Sequence, residues 1–270
     1  METDIPHIGV VIVTWNNEKD IVECLESILN QTYKNFNVLV VDNYSTDNTK
    51  KLISEKFPTV TVLPQNENKY LPKSNNIGIN YFIKNYESEY ILVLNPDTKS
   101  ENNLLEELSQ QMSINEKIGA VGPKVKFYKS KNEGLINSAG MFYDGYIQAY
   151  DIGFMETDEG QFDEVKEVFG VTGACILYRV KMLNEIGLYW EKIKLHLDEV
   201  ELFIRARKHG WKVIYTPKTT LWHSYMQSTD QNKLYRIDQA KRKVWFWIAM
   251  RHFSLKSKLA IIRQYLLRTD

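Results

Sequence analysis

Two apolar runs in this 270-residue chain give out on a carboxylate. Asp42 follows the run at 38–41 and opens Asp42-Asn43-Tyr44-Ser45-Thr46-Asp47, and Asp97 closes Asn95-Pro96-Asp97 after the run at 90–94. A third apolar run, 8–13, ends in Thr14-Trp15-Asn16-Asn17, which is polar and uncharged. Two adjacent acids, Asp198 and Glu199, open a helical pattern that reaches His209. No GxGxxG follows the first run and no GxxxxGK[ST] occurs, so a bound diphosphate would have no glycine cradle. Its charge would need another partner, and a divalent cation held by a carboxylate is the simplest one. Taken singly, each feature also has a plain structural reading. Asn-Pro-Asp is a common turn, and Asp198, Glu199 and Glu201 could be a solvated helix start with Glu201–Arg205 as an i,i+4 pair. His223 could be a structural histidine, and Trp15 and Trp222 could be core.

The elements that must position these residues alternate. Short β-branched runs at 8–13, 38–41, 60–63 and 90–94 read as strands buried on both faces. Between them lie helical patterns at 20–29, 46–56 and 74–85, and a further helix at 101–116 leads to a strand near 120–125. That alternation predicts right-handed crossovers and a mostly parallel sheet, whose ligands sit at the carboxyl ends of the strands. The second half is less regular. Residues 127–168 read as loops and short antiparallel strands, 171–178 as a buried strand, 198–209 as a helix, and 212–215 and 220–222 as strands. The fold class is α/β, one domain over 1–232 followed by a helical tail over 233–270.

With the elements in place, four segments carry a family resemblance. They are 10–17 with 24–49, then 68–79 (NKYLPKSNNIGI), then 90–98 (YILVLNPDT), and finally VTGACILYR with 187–229. In this order and spacing, over roughly residues 8–243, the chain resembles the family 2 inverting glycosyltransferases of the GT-A fold. Within them it is similar to the non-processive, rhamnosyltransferase-like group. The resemblance implies a mixed sheet flanked by helices, with a nucleotide-binding half over about 1–125 and an acceptor-binding half over about 126–232.

It also implies roles. Asp42 would meet the base and ribose of a nucleotide-diphospho-sugar, with Thr14 and Asn16 beside it. Asp97 would bind Mg²⁺ or Mn²⁺, His223 would be the second metal ligand, and Asn95 would contact ribose or phosphate. Gly173 and Ala174 would lie against the donor sugar. The family's Glu-Asp pair aligns with Asp198-Glu199, which points to Glu199 as the catalytic base, and the dipole of a helix start favours the ionised form a base begins in. Tyr70 replaces the glycine that usually closes Asn-x-Gly, and Glu199 replaces the usual Asp.

Composition and charge narrow the partners. The whole chain has a net charge of zero, yet residues 233–270 hold ten Lys/Arg against two acids, and the first 232 residues hold 24 against 32. A basic tail with tryptophans and the apolar spacing Leu255, Leu259, Ile262, Leu266 predicts a helix on an anionic membrane surface. The runner-up is a tail folded onto the body or onto a second subunit. Two cysteines and an N-terminus without a basic region and long apolar run lead to the expectation of a cytoplasmic protein, peripheral at the inner face of the membrane. The expected acceptor is a glycan or lipid-linked glycan, with no nucleic-acid partner. The rival functions are a sugar-nucleotide pyrophosphorylase, which would need a Gly- and Arg-rich loop where TWNN stands, and a non-catalytic nucleotide-sugar-binding subunit.

Overall fold

The computed structural model describes residues 5–143, 149–194, 196–224, 231–255 and 258, with only the backbone over 231–239. The first strand, β1 (Ile8–Thr14), is buried along its whole length. It lies between β2 (Phe36–Asp42) and β4 (Tyr90–Leu94), parallel to both, and β2 pairs in parallel with β3 (Thr61–Pro64). The crossovers are α1 (Ile21–Leu29), α2 (Thr49–Lys56) and α3 (Leu71–Asn85). Cys24, Leu25 and Ile28 of α1 bury the apolar stripe that their spacing predicted. Gly78 lets α3 lie directly on β1, because a Cβ there would stand 2.3 Å from Val11 Cγ1.

The parallel half is as expected, and the other half completes the sheet in mixed sense. Following β4 come β5 (Thr98–Ser100), α4 (Leu104–Ser113), β6 (Ile118–Phe127) and β7 (Ile136–Ser138). Then come β8 (Met141–Tyr143) paired with β9 (Ala149–Asp151), β10 (Lys166–Val168) and β11 (Cys175–Arg179). The chain continues through α5 (Val180–Ile186), α6 (Asp198–Lys208), β12 (Lys212–His223) and α7 (Gln231–His252). The main sheet runs β10-β12-β6-β11-β4-β1-β2-β3. Its central insertion is β11, antiparallel to both β4 and β6.

Two differences from the sequence expectation matter for function. The strand expected at 171–178 begins only at Cys175, so Val171 to Ala174 form a loop at its start. The two strands expected at 212–215 and 220–222 are one, β12, joined through a register shift between Thr216 and Thr220. That continuity carries His223 to the end of β5, where it pairs with Thr98.

The tail also differs from a free membrane helix over its first part. Val244, Trp245 and Ile248 of α7 are buried in a cluster with Met141, Ile193, Val200 and Ile204. The apolar run 244–250 therefore packs on α6 and the β8–β9 ribbon, as hydrophobic burial requires when a partner face lies within the same chain. Leu255 is 74% exposed, and Leu259, Ile262 and Leu266 lie outside the described residues. Among the described residues no helix is long and apolar enough to cross a membrane.

Candidate active site

The carboxyl ends of β1, β2 and β4 form one rim. Thr14 and Asp42 are register partners across β1 and β2, and both are fully buried. The Asp42 carboxylate accepts the Ser45 backbone N–H at 3.3 Å and has Lys50 Nζ at 4.0 Å. The Thr14 hydroxyl donates to Asn17 Oδ1. Asn16, at φ +54°, accepts the Thr46 N–H at 2.8 Å and so ties the first loop to the second. Here Thr14, Asn16 and Asp42 build the loops that frame the rim. The large surfaces the rim exposes are Trp15 and Tyr44, about half exposed each, with Tyr44 at φ +73°. Sequence reasoning left Trp15 undecided and missed Tyr44, which sits among turn residues with no periodic signal.

The turn after β4 is clamped from below. Asn95 donates its backbone N–H to the Ala174 carbonyl at 3.0 Å, and the Thr98 hydroxyl donates to the Asn95 carbonyl at 2.7 Å. The Ala174 methyl joins the core cluster, so it is the Ala174 backbone that serves the rim. Beyond the clamp, Asp97 Oδ1 stands 3.3 Å from His223 Nε2, and the Asp97 carbonyl accepts the Ser224 N–H. Burial works to raise the Asp97 carboxyl, but the hydrogen bond and charge of His223 outweigh it and hold it below its ordinary value.

The other ring nitrogen of His223 lies 3.3 Å from Asn137 Oδ1. Nε2–H can donate to Asp97; with the proton on Nδ1 instead, where Asn137 Oδ1 can accept it, Nε2 offers its lone pair beside the Asp97 carboxylate and a cation can bind both. One carboxylate and one imidazole backed by an amide oxygen fit Mn²⁺ or Mg²⁺, which take their remaining ligands from phosphate and water. Among the described residues no group of three or more His, Cys, Asp or Glu gathers to hold a metal by itself.

Across the rim, α6 presents the acid pair. Asp198 is buried and Glu199 half-buried, and their carboxyls are hydrogen-bonded to each other. Desolvation raises both: Asp198 to about 6, and Glu199 well above its ordinary value with help from the Asp198 and Asp151 charges. The expected effect of the helix dipole is thus outweighed by burial, and the pair favours holding a proton between its two members. A Cβ on Gly173 would meet Glu199 Cδ at 3.7 Å and Oε2 at 3.9 Å. Gly173, on the loop before β11, therefore lies against Glu199 and leaves open the space above it.

The approach to the pair is strained, since His196 and Leu197 take φ of +64° and +62° just before the helix. What holds it is Glu201, read in the sequence as a solvated partner of Arg205 but fully buried. Arg205 binds both Glu201 oxygens and donates to the carbonyls of Gly187 and Leu188, and His252 of α7 reaches Glu201 Oε1 at 2.7 Å. Asn76 of α3 accepts the Tyr189 N–H and donates to the Tyr189 carbonyl. Tyr70, in the place of the family glycine, has φ +65° and ψ 163°, backbone that glycine adopts freely and tyrosine does not.

Known proteins resemble this chain along most of its length. The pattern described as glycosyl transferase family 2 matches residues 9–187. Over 298 aligned residues the chain is 23% identical to an N-acetylglucosaminyl-diphospho-decaprenol L-rhamnosyltransferase of Mycobacterium tuberculosis, covering 99% of this chain and 94% of that protein. Among solved structures it is similar to S. aureus TarS, with TM-score 0.62, 17% identity, and coverage of 97% of this chain and 43% of that one. It is also similar to the mannosyltransferase PcManGT of Pyrobaculum calidifontis in complex with GDP-Man and Mn²⁺, with TM-score 0.64, 14% identity, and coverage of 98% and 76%. The fold is GT-A. A strand-end carboxylate joined to a histidine, an acid pair facing a glycine, and the family pattern across most of the chain lead to one assignment: this protein belongs to glycosyl transferase family 2.

Proposed function

We propose that the chain is a metal-dependent, inverting glycosyltransferase that moves one sugar, rhamnose, from a nucleotide-diphospho-sugar to a hydroxyl of a lipid-linked glycan during surface polysaccharide synthesis. The observation that carries this reading is the Asp97–His223 pair after β4 together with Glu199 beside Gly173, whose neighbour Ala174 takes the Asn95 N–H on its carbonyl. Rhamnose and the lipid-linked acceptor rest on the similarity to the mycobacterial enzyme.

In this reading Trp15 and Tyr44 flank the nucleobase, and the loops tied by Asn16 and Asp42 hold the ribose end. Asn95 lies toward the diphosphate, and Asp97 and His223 would hold Mn²⁺ or Mg²⁺, which supplies the counter-charge for the departing nucleoside diphosphate. Glu199 accepts the proton of the acceptor hydroxyl as its oxygen bonds to the anomeric carbon, and the bond from that carbon to the diphosphate oxygen breaks on the opposite face. At rest the pair of Asp198 and Glu199 shares one proton, which leaves to solvent before the step so that Glu199 is ionised when the acceptor hydroxyl arrives. Gly173 leaves room for the sugar at the reacting carbon.

Residues 1–232 act as one catalytic domain. The basic tail would hold the protein at the cytoplasmic face of an anionic membrane, where a lipid-linked acceptor is found. The test is thermal-shift screening of UDP-, GDP- and dTDP-sugars with Mn²⁺, followed by turnover of the stabilising donor. Slow release of nucleoside diphosphate supports the reading, and pyrophosphate chemistry on the same donor supports the pyrophosphorylase instead.

A further inference from the structure

The roles above leave one cationic surface unused, formed by the segment before α6 and by α7. Trp190 and Trp247 stand on it half-buried, and cations cover both rings. Lys192 Nζ lies 5.0 Å from the Trp247 ring centroid and 5.8 Å from that of Trp190, and Lys243 Nζ lies 5.3 Å from the Trp247 centroid. The Arg251 guanidinium lies 4.3 Å from the Trp190 centroid and also meets Glu201. Two residues beyond Lys192, Lys194 Nζ lies 4.6 Å from the ring centroid of Tyr70, which stands in the connection from β3 to α3. Lys192, Lys194 and Lys243 are all exposed, and among the described residues none of the three has a carboxylate within salt-bridge distance. The nearby acid in sequence, Glu191, accepts from Asn76 Nδ2 at 3.1 Å.

An ammonium group over an aromatic face keeps hydrogens free for an anion, and three of them without a carboxylate leave this surface with uncompensated charge. A neutral sugar brings nothing to offset it and a sugar carboxylate brings a single charge, whereas a phosphate or diphosphate can engage two ammonium groups at once. The indoles put apolar area beside the charge, which a free phosphate would not use and a phosphate joined to an apolar chain would. The place favours the acceptor over the donor. The donor's diphosphate has Asp97 and His223 for its metal, while Lys192 and Lys194 precede the acid pair directly in sequence. Ile193 between them is buried in one cluster with Val200 of α6 and Val244 of α7. A membrane headgroup has similar chemistry, but the contact of Lys194 with Tyr70 joins this surface to the loops at the carboxyl ends of the parallel strands, where the sugars meet.

We propose that this surface binds the phosphate or diphosphate that joins the acceptor sugar to its apolar chain, with Lys192 and Lys243 on the anion and Trp190 and Trp247 beside the first carbons of the chain. The site rests on the glycosyl-transfer reading and narrows it: the acceptor is a phosphate-linked amphiphile, and the same sugar and chain without the phosphate are held more weakly.

The test uses the full chain in EDTA, which keeps metal from the donor side. Calorimetry measures two probes with the same sugar and chain, N-acetylglucosaminyl-diphospho-octane and octyl N-acetylglucosaminide, and sedimentation measures binding to vesicles of phosphatidylcholine and phosphatidylglycerol. The wild type binds the diphosphate probe more tightly than the neutral one by roughly tenfold or more, the scale of two partly exposed charge contacts. The double variant Lys192→Gln with Lys243→Gln loses that preference, and Lys192→Arg with Lys243→Arg keeps it. Equal affinity of the wild type for the two probes overturns the proposal. A Gln variant that keeps the full preference overturns it too, and if that variant has lost vesicle binding the surface belongs to the membrane instead. Probe binding in EDTA needs no turnover, so a wild type that releases no nucleoside diphosphate from any donor in Mn²⁺ is a separate failure, that of the transferase reading.

Discussion

Replacing Glu199 by Gln keeps the length of the side chain and its ability to hydrogen-bond Asp198, and removes only its capacity to accept a proton. General-base loss costs about 10²- to 10⁴-fold in rate, which at ~1.36 kcal/mol per decade is roughly 3–5 kcal/mol of transition-state stabilisation. The structure sharpens this in two ways. Glu199 stands on α6 while Asp97 and His223 are held by the turn after β4 and the end of β12, so base and metal ligands sit on different elements and donor affinity should change little. The pair is also raised by burial, so wild-type turnover should climb with pH through a limb above the ordinary carboxylate range, and Glu199→Gln should lack that limb. Asp198→Asn should be the milder change, because it removes the partner that shares the proton and not the acceptor of it. The assay pairs calorimetric donor affinity with transfer rate as a function of pH. If Asp198→Asn is the dead variant while Glu199→Gln turns over normally, the base is Asp198. If both variants lose donor binding, the pair is structural.

Other consequences follow from single contacts. Asp97→Ala should reduce turnover about a hundred- to ten-thousand-fold, the metal's share of leaving-group stabilisation, and His223→Ala should cost less, because water can replace one neutral ligand. Titration with Mn²⁺ separates the two. Tyr70→Gly should be more stable than Tyr70→Ala by about 1 kcal/mol in denaturant unfolding, since both lose the ring and only glycine relaxes at φ +65°. Burial raises the Asp198 carboxyl above its ordinary value, so the stability it contributes is full below that ordinary value and lost as pH rises through the raised one. Asp198→Asn should therefore gain stability over the wild type in denaturant unfolding at pH 7.5 and gain none at pH 4. Ile248→Ala should cost about 2–5 kcal/mol, whereas a surface helix would lose almost nothing.

The parallel half of the fold was legible because the runs of β1, β2 and β4 are buried on both faces and α1 keeps one apolar stripe, as in Cys24, Leu25 and Ile28; the run at 60–63 was read the same way, but β3 is the sheet's edge and only partly buried. Asp97 and His223, 126 positions apart, were legible as a pair only through the family resemblance, because nothing local says that β12 ends against β5, which begins just after Asp97. Glu201 was misread for a physical reason. An acid four residues before an arginine on a helix looks the same whether water or the core surrounds it, and burial follows from α7, which the sequence sent elsewhere. The loop at 171–174 was read as strand because it runs uncharged into the apolar 175–178, whereas the pairing of β11 begins only at Cys175, opposite Leu94. Asp151, Asn137 and His196 lie in segments without periodicity, where only the folded chain reveals their neighbours.

The most direct test is the fate of the donor with and without metal. Wild-type protein with the donor selected by screening is incubated in Mn²⁺ and, in parallel, in excess EDTA, and the nucleotide product is identified by mass. The account predicts nucleoside diphosphate in Mn²⁺, free sugar of inverted anomeric configuration at first release, and almost no turnover in EDTA. Full turnover in EDTA would contradict the Asp97–His223 assignment. Formation of nucleoside triphosphate on adding pyrophosphate would contradict glycosyl transfer itself.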